Sequence, residues 1–293
     1  MIGNSAASTL EESQPSIISA PLALTAKEFA TISALAREEF GLELGKGKEQ
    51  LVAARLGKLM RKLGFRAFPD YYRHVQGDRT GDALVELIDV LTTNHTSFFR
   101  EQAHFDFLVQ RVFAEQMGHS PIRIWSAASS TGEEPYTIAI TAREHLGAQS
   151  QILPRILATD ISTRVLETAR KGIYKADRFQ GGVAPWLRKH LLRGEDQWQG
   201  WYRMRPEILG MVEFRRVNLI EPLPDVGRFT VIFCRNVMIY FSRETQEHLV
   251  TRLAACLEPG GYLFVGHSES LTGIQHGLQQ IQPAIYRKRG GKK

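Results

Sequence analysis

Two adjacent acids, Glu133 and Glu134, close a run of small residues in SAASSTGEEPY (residues 126–136). Small side chains let the backbone approach a ligand closely, and a helix starting there would offer its N-terminus. A dinucleotide site would place G-x-G-x-x-G at such a turn to take pyrophosphate, and that pattern is absent. Acids would repel pyrophosphate, but they suit a ligand that carries an ammonium and a sulfonium. Their plainer role would be to complement the positive end of a helix. Asp160, in ATDIS, is a carboxylate able to accept both hydroxyls of a ribose. It could equally cap the helix that follows. Asn218-Leu219 offers an amide and an apolar group where an adenine could lie, and CRNVMIYF (234–241) adds a fourth polar segment.

These four segments act together only if the fold brings them to one edge. Each ends a short run rich in Ile, Val and Phe: IRIWSA, RILATD, VEFRRVNL and FTVIFCRN. GYLFVGHS makes a fifth run and AIYRK a final one. Helical segments separate most of them: EPYTIAITAREHLG, STRVLETARKG and RETQEHLVTRLAACL. Strand followed by helix, repeated, predicts a parallel sheet covered on both faces, with ligands bound beyond the carboxyl ends of its strands. Glu258-Pro259-Gly260-Gly261 reads as a turn before the fifth strand. The stretch from about 172 to 212 is irregular and holds Trp186, Trp198 and Trp201, so it reads as a small inserted subdomain.

Residues 21–92 read as a helical domain. LTAKEFATISALAREEFG opens with a Thr25-x-x-Glu28 capping box and stops at Gly41. KEQLVAARLGKLMRKLG carries an apolar stripe, Val52-Leu56-Leu59-Leu63, and a basic flank of Arg55, Lys58, Arg61 and Lys62. Nine Lys or Arg against three acids between Lys46 and Arg79 match the net charge of the whole chain, +6. An anionic partner is expected at this stretch. Residues 1–20 hold five serines and no Lys or Arg, so they read as a flexible tail rather than a signal peptide. No apolar run approaches the roughly 18 residues of a membrane span. Cys234 and Cys256 lack metal-like spacing, and a reducing cytoplasm fits so few cysteines.

TTNHTSFFREQAHF, RIWSAASSTGEEPYTIAIT, ATDIS, VNLI, FCRNVMIYF and GHSESL together resemble the chemotaxis receptor glutamate methyltransferases, the CheR family. The likeness runs from about residue 21 to about 287. It implies an α/β fold: an N-terminal helical domain (21–92), then a Rossmann-like class I methyltransferase domain (93–293) with the small inserted β-subdomain. It implies S-adenosylmethionine contacts at Asn94, Thr96, Arg100, Glu134, Asp160, Asn218, Leu219, Asn236 and Val237, and S-adenosylhomocysteine as product. It places Arg100 and Tyr240 near the transferred methyl. It further implies that Arg55, Lys58 and Arg61 recognise the acidic methylation helices of chemotaxis receptors. Some members hold a peptide at the receptor C-terminus on the inserted subdomain. Gly194 and Gly200 match that pattern, but EDQW between them departs from it.

A glutamate acceptor is already ionised at neutral pH, its reference pKa being about 4.3. Transfer to it needs neither a general base nor a metal, and placement of oxygen, methyl carbon and sulfur in line is what remains. Arg100 could orient a carboxylate by a forked contact, and Tyr240 could hold the acceptor or donor by its hydroxyl. A nucleic-acid methyltransferase is the competing enzyme, but the amino-methylating signature [N/D/S]-P-P-[Y/F/W] is replaced here by RNVMIYF. A non-catalytic receptor-binding adaptor is the competing binding module. The expected state is a cytoplasmic monomer without nucleic-acid binding or membrane insertion.

Overall fold

The computed structural model describes residues 24–45, 47–92, 96–116, 122–147, 150, 153–179 and 181–290. The expected tail and Asn94 lie outside the described residues. Four helices come first: α1 (Ala26–Phe40), α2 (Glu49–Lys62), α3 (Phe68–Gly77) and α4 (Asp82–Leu91). The capping box forms as expected: the Glu28 N–H donates to Thr25 Oγ1 at 3.2 Å, and the Thr25 N–H to Glu28 Oε2 at 2.8 Å. On α2, Val52, Leu56 and Leu59 face the core, joined by Met60. Leu63 departs from the expected stripe: it lies just past the helix and is 36% exposed.

The chain continues through α5 (Ala103–Phe107), a widened π-type turn at Leu108–Phe113, and α6 (Ala114–Gln116). Then come β1 (Arg123–Ala127), α7 (Glu133–Leu146), β2 (Arg155–Asp160) and α8 (Thr163–Lys171). A small antiparallel sheet interrupts here, with β3 (Ile173–Lys175), β4 (Leu191–Arg193) and β5 (Trp201–Met204) in the order β3-β5-β4. After α9 (Pro206–Leu209) the main sheet resumes with β6 (Val212–Arg216), β7 (Phe229–Cys234), α10 (Arg243–Cys256), β8 (Leu257–Phe264), β9 (Leu278–Gln282) and β10 (Ile285–Lys288). Its order is β6-β2-β1-β7-β8-β10-β9, the first five parallel and β10 antiparallel to both neighbours. The sequence had not pointed to β9. Its residues, LQQIQ, lie at the exposed sheet edge and carry no alternating pattern. The Glu258–Gly261 run also differs from expectation, being taken into β8 where its register against β7 shifts.

Both faces of the central strands are buried, which is why they read as unbroken apolar runs. Trp125, Leu157, Ile232 and Leu263 pack on one face with residues of α1–α4 and α10. Ile124, Ile156, Val231, Phe233 and Phe264 pack on the other with α5 and α7. Each such side chain, when fully buried, contributes about 1.5–3 kcal/mol. The parallel register sets Ala127 level with Thr159 and Cys234, and Asp160 level with Arg216. The chain therefore leaves β1, β2, β6 and β7 along one edge.

Candidate functional site

A cleft opens beyond that edge, enclosing about 1100 Å³ with the open solvent at its mouth included. Its floor is built from Ala128–Ser130, Glu134, Asp160-Ile161, Val217–Leu219 and Arg235–Val237. Its facing wall comes from the helical region, through Phe40, Leu42, Ile88, Asp89 and Thr92. Thr96, Ser97, Arg100 and Tyr240 complete the lining. The wall is tied to the floor by backbone: Leu42 bridges Phe241, and the Glu43 N–H donates to the Tyr240 carbonyl at 2.7 Å. The turn before α7 depends on Gly132. Its φ is 96°, and a Cβ there would come within 2.8 Å of Ala169 Cβ and Tyr174 Oη.

The two acids of the turn separate. Glu133 does not line the cleft; it is fully buried, pairs with Arg178 Nε at 3.3 Å and accepts from Thr131 Oγ1 at 2.6 Å. Glu134 does line it, accepting from Ser126 Oγ at 2.7 Å and Arg235 Nη1 at 2.9 Å. Burial pushes the Glu134 carboxyl above its ordinary range, against the pull of Arg235 and Ser126. Arg235 also donates to Glu101 Oε2 at 2.9 Å and to the Arg100 carbonyl at 2.6 Å. Burial raises the Glu101 carboxyl, but Arg235 and His267 together outweigh it and hold the group below its usual range. One buried guanidinium thus sits between two carboxylates and fixes the backbone of Arg100. Sequence reasoning missed Arg235 and Glu101. Arg235 stood inside a quoted motif, but nothing local told whether its side chain faced ligand or protein.

Asp160 lies at the tip of β2. Its Oδ2 accepts from the Ser130 N–H at 2.8 Å and its Oδ1 from the Ser162 N–H at 3.0 Å. The helix cap is Ser162, whose Oγ accepts from the Val165 N–H at 3.3 Å. Capping alone therefore does not account for Asp160. Burial, with Asp89 nearby, pushes its carboxyl up to about 6 against the backbone donors. A carboxylate has about four acceptor sites, so with backbone donors from Ser130, Ser162 and Ile161 Asp160 retains capacity for a ligand hydroxyl.

The remaining expected ligand residues divide by what already holds them. Thr96, Arg100, Leu219, Asn236 and Val237 all line the cleft. Asn218 also lines it, but its amide NH₂ donates to the Glu39 carbonyl at 3.0 Å and Glu221 Oε1 at 2.9 Å. These two bonds tie the segment after β6 to α1 and leave Asn218 at the cleft lining. Asn236 takes φ 58°, the left-handed region that asparagine tolerates, and so turns the chain after β7. Tyr240 is half-buried and borders both the cleft and a smaller groove with Leu44, Lys48 and Leu51.

The basic flank of α2 also divides. Lys58 and Arg61 are exposed. Arg55 is not presented with them: its Nη1 donates to the Leu91 and Thr92 carbonyls at 3.1 Å each and reaches the Val90 carbonyl at 3.4 Å. It closes the C-terminus of α4, where unpaired carbonyls attract a cation. Lys62 pairs with Glu86 at 3.0 Å.

Residues 27–92 match the family model described as CheR methyltransferase, all-alpha domain, and residues 94–286 the model described as CheR methyltransferase, SAM binding domain. The chain is 41% identical over 247 residues to chemotaxis protein methyltransferase 2 of Pseudomonas aeruginosa, covering 84% of this chain and 87% of that protein. It is 38% identical over 274 residues to the chemotaxis protein methyltransferase of Borreliella burgdorferi, covering 90% and 95%. It is 40% identical over 254 residues to that of Salmonella typhimurium, covering 86% and 87%.

Proposed function

The chain belongs to the CheR methyltransferase family, and from that premise we propose that it esterifies glutamate side chains of chemotaxis receptors with the methyl of S-adenosylmethionine. The observation that carries this reading is the placing of two largely buried carboxylates, Glu134 in the first turn of α7 and Asp160 at the tip of β2, on one cleft. Asp160 would accept the ribose hydroxyls, and Glu134 would face the donor's ammonium. Asn236, Val237 and Leu219 would flank the adenosyl part, with Thr96 also against the donor. The donor brings an activated methyl on a cationic sulfonium, and the acceptor carboxylate is ionised without help. The chain's own task is to align the two and exclude water. Arg100, its backbone fixed by Arg235, would orient a carboxylate, and Tyr240 at the cleft edge would hold the acceptor.

No metal is needed in this scheme. Among the described residues, Glu101, His104 and His267 gather potential ligand atoms within 4.8 Å. The Glu101 oxygen nearest both histidines already accepts from Arg235, whose charge opposes a cation there. His104 is buried and held neutral, its pKa lowered to about 3 by burial and by Arg235.

Receptor docking is assigned to the exposed Lys58 and Arg61, facing acidic methylation helices, with Arg55 acting from behind through α4. A receptor C-terminal peptide would meet the small sheet β3-β5-β4, where Leu192 and Trp198 are exposed. No helix among the described residues is long and apolar enough to cross a membrane. The proposed setting is a cytoplasmic monomer that meets receptors by docking. Incubation with methyl-labelled donor and receptor should give label released as methanol by mild alkali. Alkali-stable label would mean an N-methyl or ether product and would end the glutamate assignment.

A further inference from the structure

We infer that Glu269 is a positioning residue for methyl transfer, holding the loop Asn236–Tyr240 in its working shape from beneath. Four backbone N–H groups converge on its carboxylate. Oε2 accepts from Asn236 at 2.8 Å and Gly266 at 2.6 Å. Oε1 accepts from Met238 at 2.8 Å and Ile239 at 3.3 Å. Three of these donors belong to the turn that carries Asn236 and Val237 into the cleft and ends at Tyr240. The carbonyl side of the same turn is held from α10: Gln246 Nε2 donates to the Met238 carbonyl at 2.9 Å and the Phe241 carbonyl at 3.0 Å. An anion thus gathers the donors of one loop while an amide gathers its acceptors.

The chemistry explains why an acid is used. A turn that leaves a strand exposes several N–H groups that no ladder satisfies, and leaving them unpaired in a buried place is costly. One carboxylate has acceptor sites for all four and binds them by charge-assisted hydrogen bonds. Glu269 is 8% exposed and does not line the cleft, so it acts through the loop and not on the ligand. The fit beneath the loop is close. A Cβ at Gly266 would come within 2.4 Å of Asn236 Nδ2 and 2.9 Å of Glu269 Oε2. The backbone of Gly266 does not demand glycine by its φ, so space against Asn236 and Glu269 is what excludes a larger residue.

This inference rests on the reading of Asn236–Tyr240 as the donor-side loop, and its test keeps the two apart. Glu269→Gln preserves shape but turns an NH₂ toward two of the four N–H donors. The full chain carrying it should bind S-adenosylmethionine about tenfold or more weakly and lose turnover, as befits loss of hydrogen bonds to a charged group. Its KM for receptor should change less than its donor affinity, because docking through α2 is untouched and only Tyr240 of the acceptor contacts lies on this loop. Glu269→Asp, which keeps the charge, should recover part of the donor affinity. Gly266→Ala strains the same loop from the other side and should show the same split between turnover and receptor KM. Should Glu269→Gln fail to fold, Gly266→Ala carries the test by itself. A folded variant with parental donor affinity and turnover, losing only thermal stability, would make Glu269 a fold residue and overturn the inference. A parent chain that binds no S-adenosylmethionine would overturn the reading beneath it as well.

Discussion

The strand-tip floor of the cleft and the basic helix α2 both carry charge, but they handle it in opposite ways. In the floor Arg235, Glu134 and Asp160, with Glu101 paired to Arg235, are largely withdrawn from water and each is held by protein partners. On α2, Lys58 and Arg61 stay in solvent. Buried charges act strongly at short range and are little affected by salt, whereas exposed ones are screened over about 8–10 Å at physiological ionic strength. A small donor of fixed shape calls for the first arrangement. A long, mobile, acidic partner is served by the second, because weak distributed attraction speeds encounter without fixing one geometry. Arg55 stands between them: it belongs to the basic helix by sequence and to the cleft wall by contact.

Breaking the buried side should have the largest effect. Arg235→Leu leaves two carboxylates buried without their shared cation, and loss of one partner of a buried pair costs about 3–5 kcal/mol. The variant should melt well below the parent and bind no donor, as measured by thermal unfolding with and without S-adenosylmethionine. A variant that melted like the parent would show that the network contributes little.

Asp160→Ala should come next, weakening donor binding by about tenfold or more, since hydrogen bonds to a charged group are worth about 1.5–3 kcal/mol. The pH dependence sharpens this. The Asp160 pKa is raised to about 6, so its ionisation disfavours the empty folded chain above pH 6 and has no such effect below the ordinary carboxylate range. Donor hydroxyls favour the ionised form. Donor affinity measured by calorimetry should therefore rise with pH through about 6 and then level off, and Asp160→Ala should flatten that rise.

Arg55→Ala should cost about 1 kcal/mol through the lost closure of α4, a typical worth for a helix-end contact. Because α4 leads into the segment around Thr96, donor affinity should fall modestly with it. Unchanged donor affinity would return Arg55 to the docking surface alone. Lys58→Ala with Arg61→Ala should have the smallest effect per residue, about 1 kcal/mol or less for each exposed charge. Receptor KM should rise several-fold with donor affinity intact, and raised salt should mimic the change. A double variant with parental receptor KM at moderate salt would remove α2 from recognition.

The sequence by itself determined whatever depends on neighbours along the chain. The Thr25–Glu28 cap, the alternation of strand and helix, the small-residue turn ending at Gly132 and the acid at the tip of β2 all follow from local sterics, hydrogen bonding and apolar periodicity. So did the family resemblance, which is a pattern of spaced motifs. What the tertiary structure decided is which of several nearby charges turns toward which partner. Glu133 and Glu134 are adjacent, yet one is turned to Arg178 and the other to Arg235, 101 residues on. Asn218 lines the cleft and also donates to the Glu39 carbonyl, across 179 residues. Arg55 and Arg61 lie on one helical flank, yet only the first reaches the end of α4. A side chain chooses among partners by distance and burial in three dimensions, and the one-dimensional spacing of residue types does not contain those quantities.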